Sequence, residues 1–173
     1  MTYFLSPPDV IYRLTYLDAL REFHAELHNL EQDPVELTQN FEGYIRYLER
    51  QSTDNRRDGL VPETFYWLID NGIYIGRLSL RHYLNERLLQ FGGHIGYEIR
   101  PTKRRQGYGK AILRLGLEKA RRLGITRALI TCDDDNIGSA KVIEANGGIL
   151  ENIVLLSHRP VATRRYWIDI SPV

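Results

Sequence analysis

Residues 94–109 read HIGYEIRPTKRRQGYG, and within them the sequence pattern changes from that of a strand to that of a helix. From His94 to Arg100 the side chains alternate with the period of a β-strand. One face of that strand carries Ile95, Tyr97 and Ile99, and the other carries Gly96, Glu98 and Arg100. The polar residues 101–107 follow, and Tyr108 to Leu123 has apolar residues at helical spacing. The stretch therefore predicts a strand, a short loop and a long helix.

The pattern continues regularly towards the C-terminus. Gly124 is a typical residue just after a helix. Thr126 to Cys132 is almost entirely apolar, as in a strand covered on both faces. The remaining predicted elements are a helix from about Ile137 to Ala145, which Asn146-Gly147-Gly148 ends, and two strands near Ile149–Leu156 and Arg164–Ile170.

The N-terminal half is predicted to hold two helices and a hairpin. The first third reads as helical, with one helix from Tyr16 to Leu30 and a second from about Pro34 to Leu48. Glu63–Ile69 and Ile73–Leu80 are strand-like, and Asp70-Asn71-Gly72 between them is typical of a hairpin turn. Residues 83–92 are ambiguous, with a short helical turn as one option. Together the elements predict an α/β (α+β) domain over residues 1–173, built around one central sheet.

Composition narrows the class of protein. The chain has 173 residues, of which 43% are hydrophobic and 26% charged, as in soluble globular domains. It lacks an apolar run of about 20 residues and an evident secretory signal, so a cytoplasmic protein without a membrane segment is expected. The single cysteine, Cys132, makes a cysteine-built zinc site improbable, and no metal is expected. The net charge of +1 argues against a nucleic-acid partner, although Lys103, Arg104 and Arg105 form a local basic cluster.

The loop Arg104-Arg105-Gln106-Gly107-Tyr108-Gly109 is the candidate binding motif. A helix N-terminus offers unpaired backbone N–H groups, and glycines allow phosphate oxygens to approach them. A tight turn with exposed arginines is an alternative that these six residues leave open. Two nucleotide-binding patterns are excluded, because Ala111 stands where a Walker motif needs Ser or Thr and Ile112 where a dinucleotide fingerprint needs its third glycine.

The loop resembles the signature Gln/Arg-x-x-Gly-x-Gly/Ala of the GCN5-related N-acetyltransferases. The resemblance extends over roughly residues 94–150 and includes Asn136-x-x-Ser139 at the start of a helix that Gly147 ends. It implies a mixed central β-sheet whose fourth and fifth strands splay apart, flanked by helices. It also implies acetyl-CoA as cosubstrate, without a metal, and direct acetyl transfer without an acyl-enzyme.

The same resemblance implies a set of coenzyme-binding residues. Amides of the loop would hold the coenzyme A pyrophosphate, and the pantetheine arm would follow the backbone of the preceding strand. Asn136 and Ser139 would contact the arm or its thiol end. The residues so implied are Ile99, Arg100, Arg104, Arg105, Gln106, Gly107, Tyr108, Gly109, Lys110, Asn136 and Ser139.

Several titratable or hydroxyl side chains are candidates for acid and base catalysis. Glu98 is the first candidate for the base that deprotonates the amine, and His94 the second; an ordinary paired carboxylate and a histidine without a role are the alternatives. Many family members protonate the thiolate with a tyrosine at the position of Ile143. In this chain Ser139 or Tyr166 would replace that tyrosine as the acid. The alternatives are that Ser139 only caps the N-terminus of its helix and that Tyr166 is an ordinary strand residue.

Three functions follow from this sequence. The first is an N-acetyltransferase acting on a primary amine of a small molecule or a peptide. The second is a degenerate module that senses acetyl-CoA and transfers nothing, because the usual tyrosine is missing. The third, a nucleic-acid contact through residues 103–105, is disfavoured by the net charge. The acceptor cannot be read from the sequence, and a homodimer is an open option.

Overall fold

Seven β-strands and six α-helices make up the part of the chain that the computed structural model describes, residues 2–53 and 59–172. The strands are β1 (Tyr3–Ser6), β2 (Glu63–Asp70), β3 (Ile73–Arg81), β4 (Ile95–Ile99), β5 (Arg127–Asp133), β6 (Ile149–Val154) and β7 (Thr163–Asp169). The helices are α1 (Arg13–Ala25), α2 (Pro34–Gln39), α3 (Phe41–Arg50), α4 (Glu86–Gln90), α5 (Tyr108–Arg122) and α6 (Ile137–Glu144). Single 3₁₀ turns lie at Val10–Tyr12 and Pro101–Lys103.

The strands form two antiparallel sheets, in the orders β1-β2-β3-β4 and β5-β7-β6. The predicted hairpin joins β2 to β3, where Asn71 and Gly72 have φ angles of 49° and 77°. Two successive positive φ values match the twist of a tight hairpin, which explains the Asn-Gly pair. The α+β fold class is confirmed, with β4 and β5 at the facing edges of the two sheets.

Helices cover both faces of the first sheet. α5 packs on the face that carries Ile95 and Ile99, and residues of β5 and β7 complete that apolar core. α1 and α3 cover the opposite face with an aromatic cluster, in which Tyr16 stacks on Trp67 with ring centroids 4.8 Å apart. Within the described ranges, the helices are all too short or too polar to cross a membrane.

Three predictions about the N-terminal third are wrong. The first helix ends at Ala25, not Leu30, because Leu27 and Asn29 take left-handed φ angles of 59° and 55°. The second predicted helix is two, since the Asn40 side chain caps a new helix by accepting from the N–H of Gly43. The third error concerns β1, which lies in a region predicted to be helical but pairs with β2 at the edge of the sheet.

Candidate active site

The N-terminus of α5 has unpaired backbone donors. Gly107 is the N-cap, with a φ of 88°, and it provides no side-chain cap. The first backbone hydrogen bond of the helix runs from Ala111 N–H to the Gly107 carbonyl. Within residues 2–53 and 59–172, the N–H groups of Tyr108, Gly109 and Lys110 have no partner. Together with the helix dipole, these donors suit an anionic group such as phosphate.

Basic side chains surround this helix end. Arg105, Lys110 and Lys141 lie there and make no ion pair with any residue in the described ranges. Arg104 is different, because its Nη1 lies 2.7 Å from Glu26, directly after α1, and its Nε donates to the Ile99 carbonyl at 3.1 Å. The local charge is therefore positive although the whole chain is almost neutral.

The two sheets meet at one end of β4, in a junction that we call the seam (residues 92–94 with 129–131). His94 N–H donates to the Leu129 carbonyl at 2.7 Å, and Leu129 N–H donates back to His94 Nδ1 at 2.9 Å. Gly93 permits this contact: it has a φ of 60°, and a Cβ there would lie 2.3 Å from the Leu129 carbonyl oxygen. Beyond the seam, among the described strands, β4 and β5 form no ladder. The strands therefore diverge towards Ile99.

A cleft of about 930 Å³ opens where the strands diverge. We call it the coenzyme cleft, after the ligand that the family resemblance predicts for these residues. It lies between the end of β4, the start of α5 and the start of α6, with the end of α1 beside it. Its lining residues are Phe23, His28, Tyr97, Glu98, Ile99, Arg104, Arg105, Gly107, Gly109, Lys110, Asn136, Gly138, Ser139, Lys141 and Val142.

Most of the predicted coenzyme-binding residues line this cleft, and three do not. Gln106 folds back, its Nε2 donating to the Thr102 carbonyl at 3.0 Å. The Tyr108 hydroxyl donates to Asp70 at 2.6 Å, so only its backbone N–H faces outward from the helix end.

Arg100, the third, is the clearest departure from prediction. Its guanidinium pairs with Glu22 of α1 and donates to the Tyr74 carbonyl. Its N–H is bound to the Ile75 carbonyl of β3 at 2.9 Å. Because backbone groups alternate in direction along a strand, the groups of Ile99 point away from β3 instead. Arg100 thus fixes α1 to the sheet, and Ile99 alone of the pair presents its backbone to the cleft.

Glu98 lies at the wall of the cleft nearest α1. One carboxylate oxygen is 2.7 Å from Arg77 Nε, and both accept from Asn29 Nδ2, at 3.2 and 3.3 Å. The side chain is about one quarter exposed, at 26%. The arginine pairing expected of an ordinary surface carboxylate is present, and so is the access to the cleft that a base needs.

Ser139 lies on the first turn of α6 and serves two groups. Its N–H donates to Asn136 Oδ1 at 2.9 Å, which is the capping role expected for a helix start. Its hydroxyl lies 2.9 Å from the Tyr97 hydroxyl. Burial raises the pKa of Cys132 to about 11, so this thiol stays protonated and is a poor nucleophile.

The other acid and base candidates lie outside the cleft. Tyr166 is fully buried in β7, where its hydroxyl donates to Glu144 at 3.0 Å. Ile143, at the position of the usual tyrosine, is also fully buried. His94 belongs to the seam; burial, with the nearby Arg81 charge, lowers its pKa to about 4. Nδ1 already accepts a backbone hydrogen bond, so His94 is a structural residue.

The acidic loop after β5 is held by arginines. Asp133 pairs with Arg159, and Asp134 pairs with Arg164 at 2.7 Å. Among the described residues, no group of three or more His, Cys, Asp or Glu side chains is placed to share a metal ion.

Comparison with known proteins identifies the family to which this fold belongs. Residues 13–149 match the model of the acetyltransferase (GNAT) domain, and this match spans β4, the glycine-rich loop, α5 and α6. The chain belongs to the GNAT family. Curated protein sequences gave no significant match.

Solved GNAT structures have the same fold. RimJ from Mycobacterium smegmatis, in complex with a coenzyme A disulfide, is 14% identical with a TM-score of 0.73, over 97% of this chain and 82% of RimJ. The Salmonella typhimurium acetyltransferase that modifies the N-terminal serine of ribosomal protein L7/L12 is 21% identical with a TM-score of 0.67, over 99% and 96%. YncA from the same organism, a putative acetyltransferase solved with acetyl-CoA, is 14% identical with a TM-score of 0.64, over 99% and 95%.

Sequence reasoning missed several residues at the site. Asn29 reaches Glu98 from 69 positions away, and Arg77 reaches it from the neighbouring strand. Tyr97 was assigned only to a strand face. A local signal existed for Arg77 alone, since an arginine on a strand adjacent to β4 is an obvious partner for a carboxylate.

Proposed function

We propose that this protein is an acetyl-CoA-dependent N-acetyltransferase that moves the acetyl group directly onto a primary amine of a small molecule or a peptide. Residues 1–173 act as one domain in this proposal, and the enzyme works in the cytoplasm. Family membership and the coenzyme-bound neighbours support acetyl transfer in general.

The free amides at the start of α5 are the observation that carries the proposal. They lie at a cleft that opens between two diverging strands, with unpaired basic side chains beside them. These residues suit a diphosphate: Gly107 leaves space around its Cα, and a Cβ there would meet no atom within 4 Å. Arg105 and Lys110 supply charge. The backbone of Ile99 and the Asn136 side chain are the groups that would hold the pantetheine arm.

The chemistry of transfer assigns a role to Glu98. An alkylamine is mostly protonated at neutral pH, so it must lose a proton before it attacks the thioester. Glu98 would take that proton, directly or through one water. Arg77 and Asn29 fix its position by binding both carboxylate oxygens. Acetyl-CoA supplies the activated acyl group, and the electron pair of the broken C–S bond leaves with sulfur.

A sensor that binds acetyl-CoA without transferring the acetyl group is the alternative. The buried Ile143, where many family members have a tyrosine, favours it. Release of thiol from acetyl-CoA distinguishes the two functions. The panel of amines should include polyamines, amino acids, aminoglycosides and peptides with a free α-amino group, since one neighbour modifies the N-terminal serine of a ribosomal protein. Acetyl-CoA binding without thiol release for every amine would support the sensor.

Replacing Glu98 by Gln tests the base. Since general bases contribute about 10²- to 10⁴-fold, we expect Glu98→Gln to lower kcat at least about 100-fold. The affinity for coenzyme A, measured by calorimetry, should stay unchanged.

Glu63→Gln is the matched control for this variant. Glu63 also pairs with an arginine, Arg81, at 3.2 Å on the same sheet, but it does not line the coenzyme cleft. Its kcat should remain within about threefold of wild type, as expected for a substitution away from the chemistry. Equal losses in the two variants would remove Glu98 from the mechanism.

A further inference from the structure

Two hydroxyl groups meet where the cleft passes between β4 and α6. Tyr97 comes from β4 and Ser139 from the first turn of α6, 42 positions later, and their oxygens lie 2.9 Å apart. Both residues line the coenzyme cleft. The wall of the cleft therefore carries two hydroxyl groups that contact each other.

We propose that Tyr97 is a positioning residue for acetyl transfer: its hydroxyl donates to Ser139 Oγ and leaves the Ser139 O–H free to donate to the sulfur of departing coenzyme A. This inference rests on the proposed function. It concerns the step in which the C–N bond has formed, the C–S bond breaks and its electron pair goes to sulfur. The thiolate then takes a proton from solvent, which balances the proton lost by the amine.

Either hydroxyl of this pair can donate, and the proposal takes Tyr97 as the donor. Burial raises the pKa of Tyr97 to about 12, so the phenol keeps its proton at neutral pH and can act as the donor. A serine hydroxyl has one hydrogen. When Ser139 Oγ accepts from Tyr97, that hydrogen is available to an acceptor on the other side.

The Tyr97–Ser139 pair would also compensate for the absence of a tyrosine at position 143. Ile143 is fully buried, so its position could not present a hydroxyl to the cleft without rearrangement of the core. Tyr97 and Ser139 present hydroxyls from the two walls between which the thiol end would lie. Donors that are already oriented towards a developing negative charge stabilise it without reorganisation.

The test is the pKa of the thiol of bound coenzyme A, read from the ultraviolet absorbance of the thiolate. This measurement needs no acceptor. With wild-type protein we expect the bound thiol to titrate about one unit below the free coenzyme, as for a thiol beside oriented donors. Tyr97→Phe and Ser139→Ala should each abolish that shift. The double variant should lose no more than either single variant, because the two hydroxyls act as one unit.

Tyr166→Phe is the control for loss of a buried hydroxyl. It removes a hydrogen bond to Glu144 outside the cleft and should leave the thiol shift intact. In turnover with an accepted amine, Tyr97→Phe should lower kcat about tenfold, the effect of one hydrogen bond to a charged group. That loss should shrink with an acetyl thioester of a more acidic thiol.

Two results would overturn the inference. One is a wild-type shift that survives in Tyr97→Phe, and the other is an equal loss in Tyr166→Phe. A wild-type protein that does not bind coenzyme A at all would instead refute the proposed function, and the inference with it. Calorimetry of coenzyme A binding separates these cases.

Discussion

The two ends of β4 differ in one respect: at His94 the strand is joined to β5, and at Ile99 it is not. At the seam, hydrogen bonds from both strands close the junction, and a buried imidazole provides one of the acceptors. At the other end the Ile99 carbonyl accepts from an arginine side chain rather than from a strand. The cleft is therefore a consequence of sheet geometry.

We therefore expect the two ends of β4 to differ in role, one contributing to stability and the other to ligand binding. The seam is buried and its groups are paired, so changes there should affect folding. The open end has free amides and unpaired cations, so changes there should affect the ligand. Substitutions and a change of pH at the two ends of β4 can test that separation.

Gly107→Trp should abolish coenzyme A binding, with at least about a 100-fold loss of affinity. The indole would lie at the helix end where phosphate oxygens must approach the amides. The fold should survive at a cost of about 1–2 kcal/mol, because a non-glycine residue must adopt a left-handed φ. Calorimetry and thermal unfolding measure the two effects.

Gly124→Trp is the control at the other end of the same helix. Gly124 has a φ of 84°, and a Cβ there would also meet no atom within 4 Å. The Gly124→Trp variant should lose a similar amount of stability and keep full affinity for coenzyme A. If both variants bind equally, the ligand does not use the start of α5.

Acid should weaken the seam through His94. Its pKa is lowered to about 4 in the folded protein, against about 6.5 when unfolded, so the unfolded state binds the extra proton first. The stability that neutral His94 contributes is thus lost as the pH falls from about 6.5 to 4, by up to about 3 kcal/mol. Denaturant unfolding at pH 7 and pH 4 measures it.

His94→Gln is the matched variant, because its side chain stays neutral and still offers an oxygen to Leu129 N–H. Its unfolding free energy should fall less than that of wild type between these pH values. A parallel fall in both proteins would show that His94 does not report on the seam.

Arg104→Ala should have a smaller effect, weakening coenzyme A binding about tenfold, as for one charge-assisted contact. Stability should change by less than about 1 kcal/mol, because the ion pair with Glu26 is exposed. Arg114→Ala is the control: Arg114 pairs with Glu118 on α5 but lies outside the cleft. A loss in both variants would indicate general electrostatic attraction instead of a specific contact.

The sequence predicted most accurately those features that depend on residues adjacent in the chain. The Asn71-Gly72 turn and the glycine-rich loop both need backbone angles that local residue types reveal. The helix prediction failed beyond Ala25 because Leu27 and Leu30 continue the apolar spacing but are exposed, at 78% and 57%. β1 was missed because four residues without a strong alternation carry little signal; its pairing with β2 defines it.

The contacts around the candidate catalytic residues could not be predicted from the sequence. The Glu98 contacts come from Asn29 and Arg77, and the Ser139 contact comes from Tyr97. Each joins distant segments, and polar residues of these types are mostly solvated at surfaces. The same limit applied to Arg100, whose burial against Glu22 depends on the packing of α1.

A structure of the protein with coenzyme A bound would show whether the start of α5 holds the pyrophosphate. We predict that the pyrophosphate accepts hydrogen bonds from the N–H groups of residues 108–110, with the pantetheine arm between β4 and β5 and its sulfur beside Ser139. A pyrophosphate bound elsewhere, or a closed gap between the two strands with the coenzyme on the outer surface, would contradict the account.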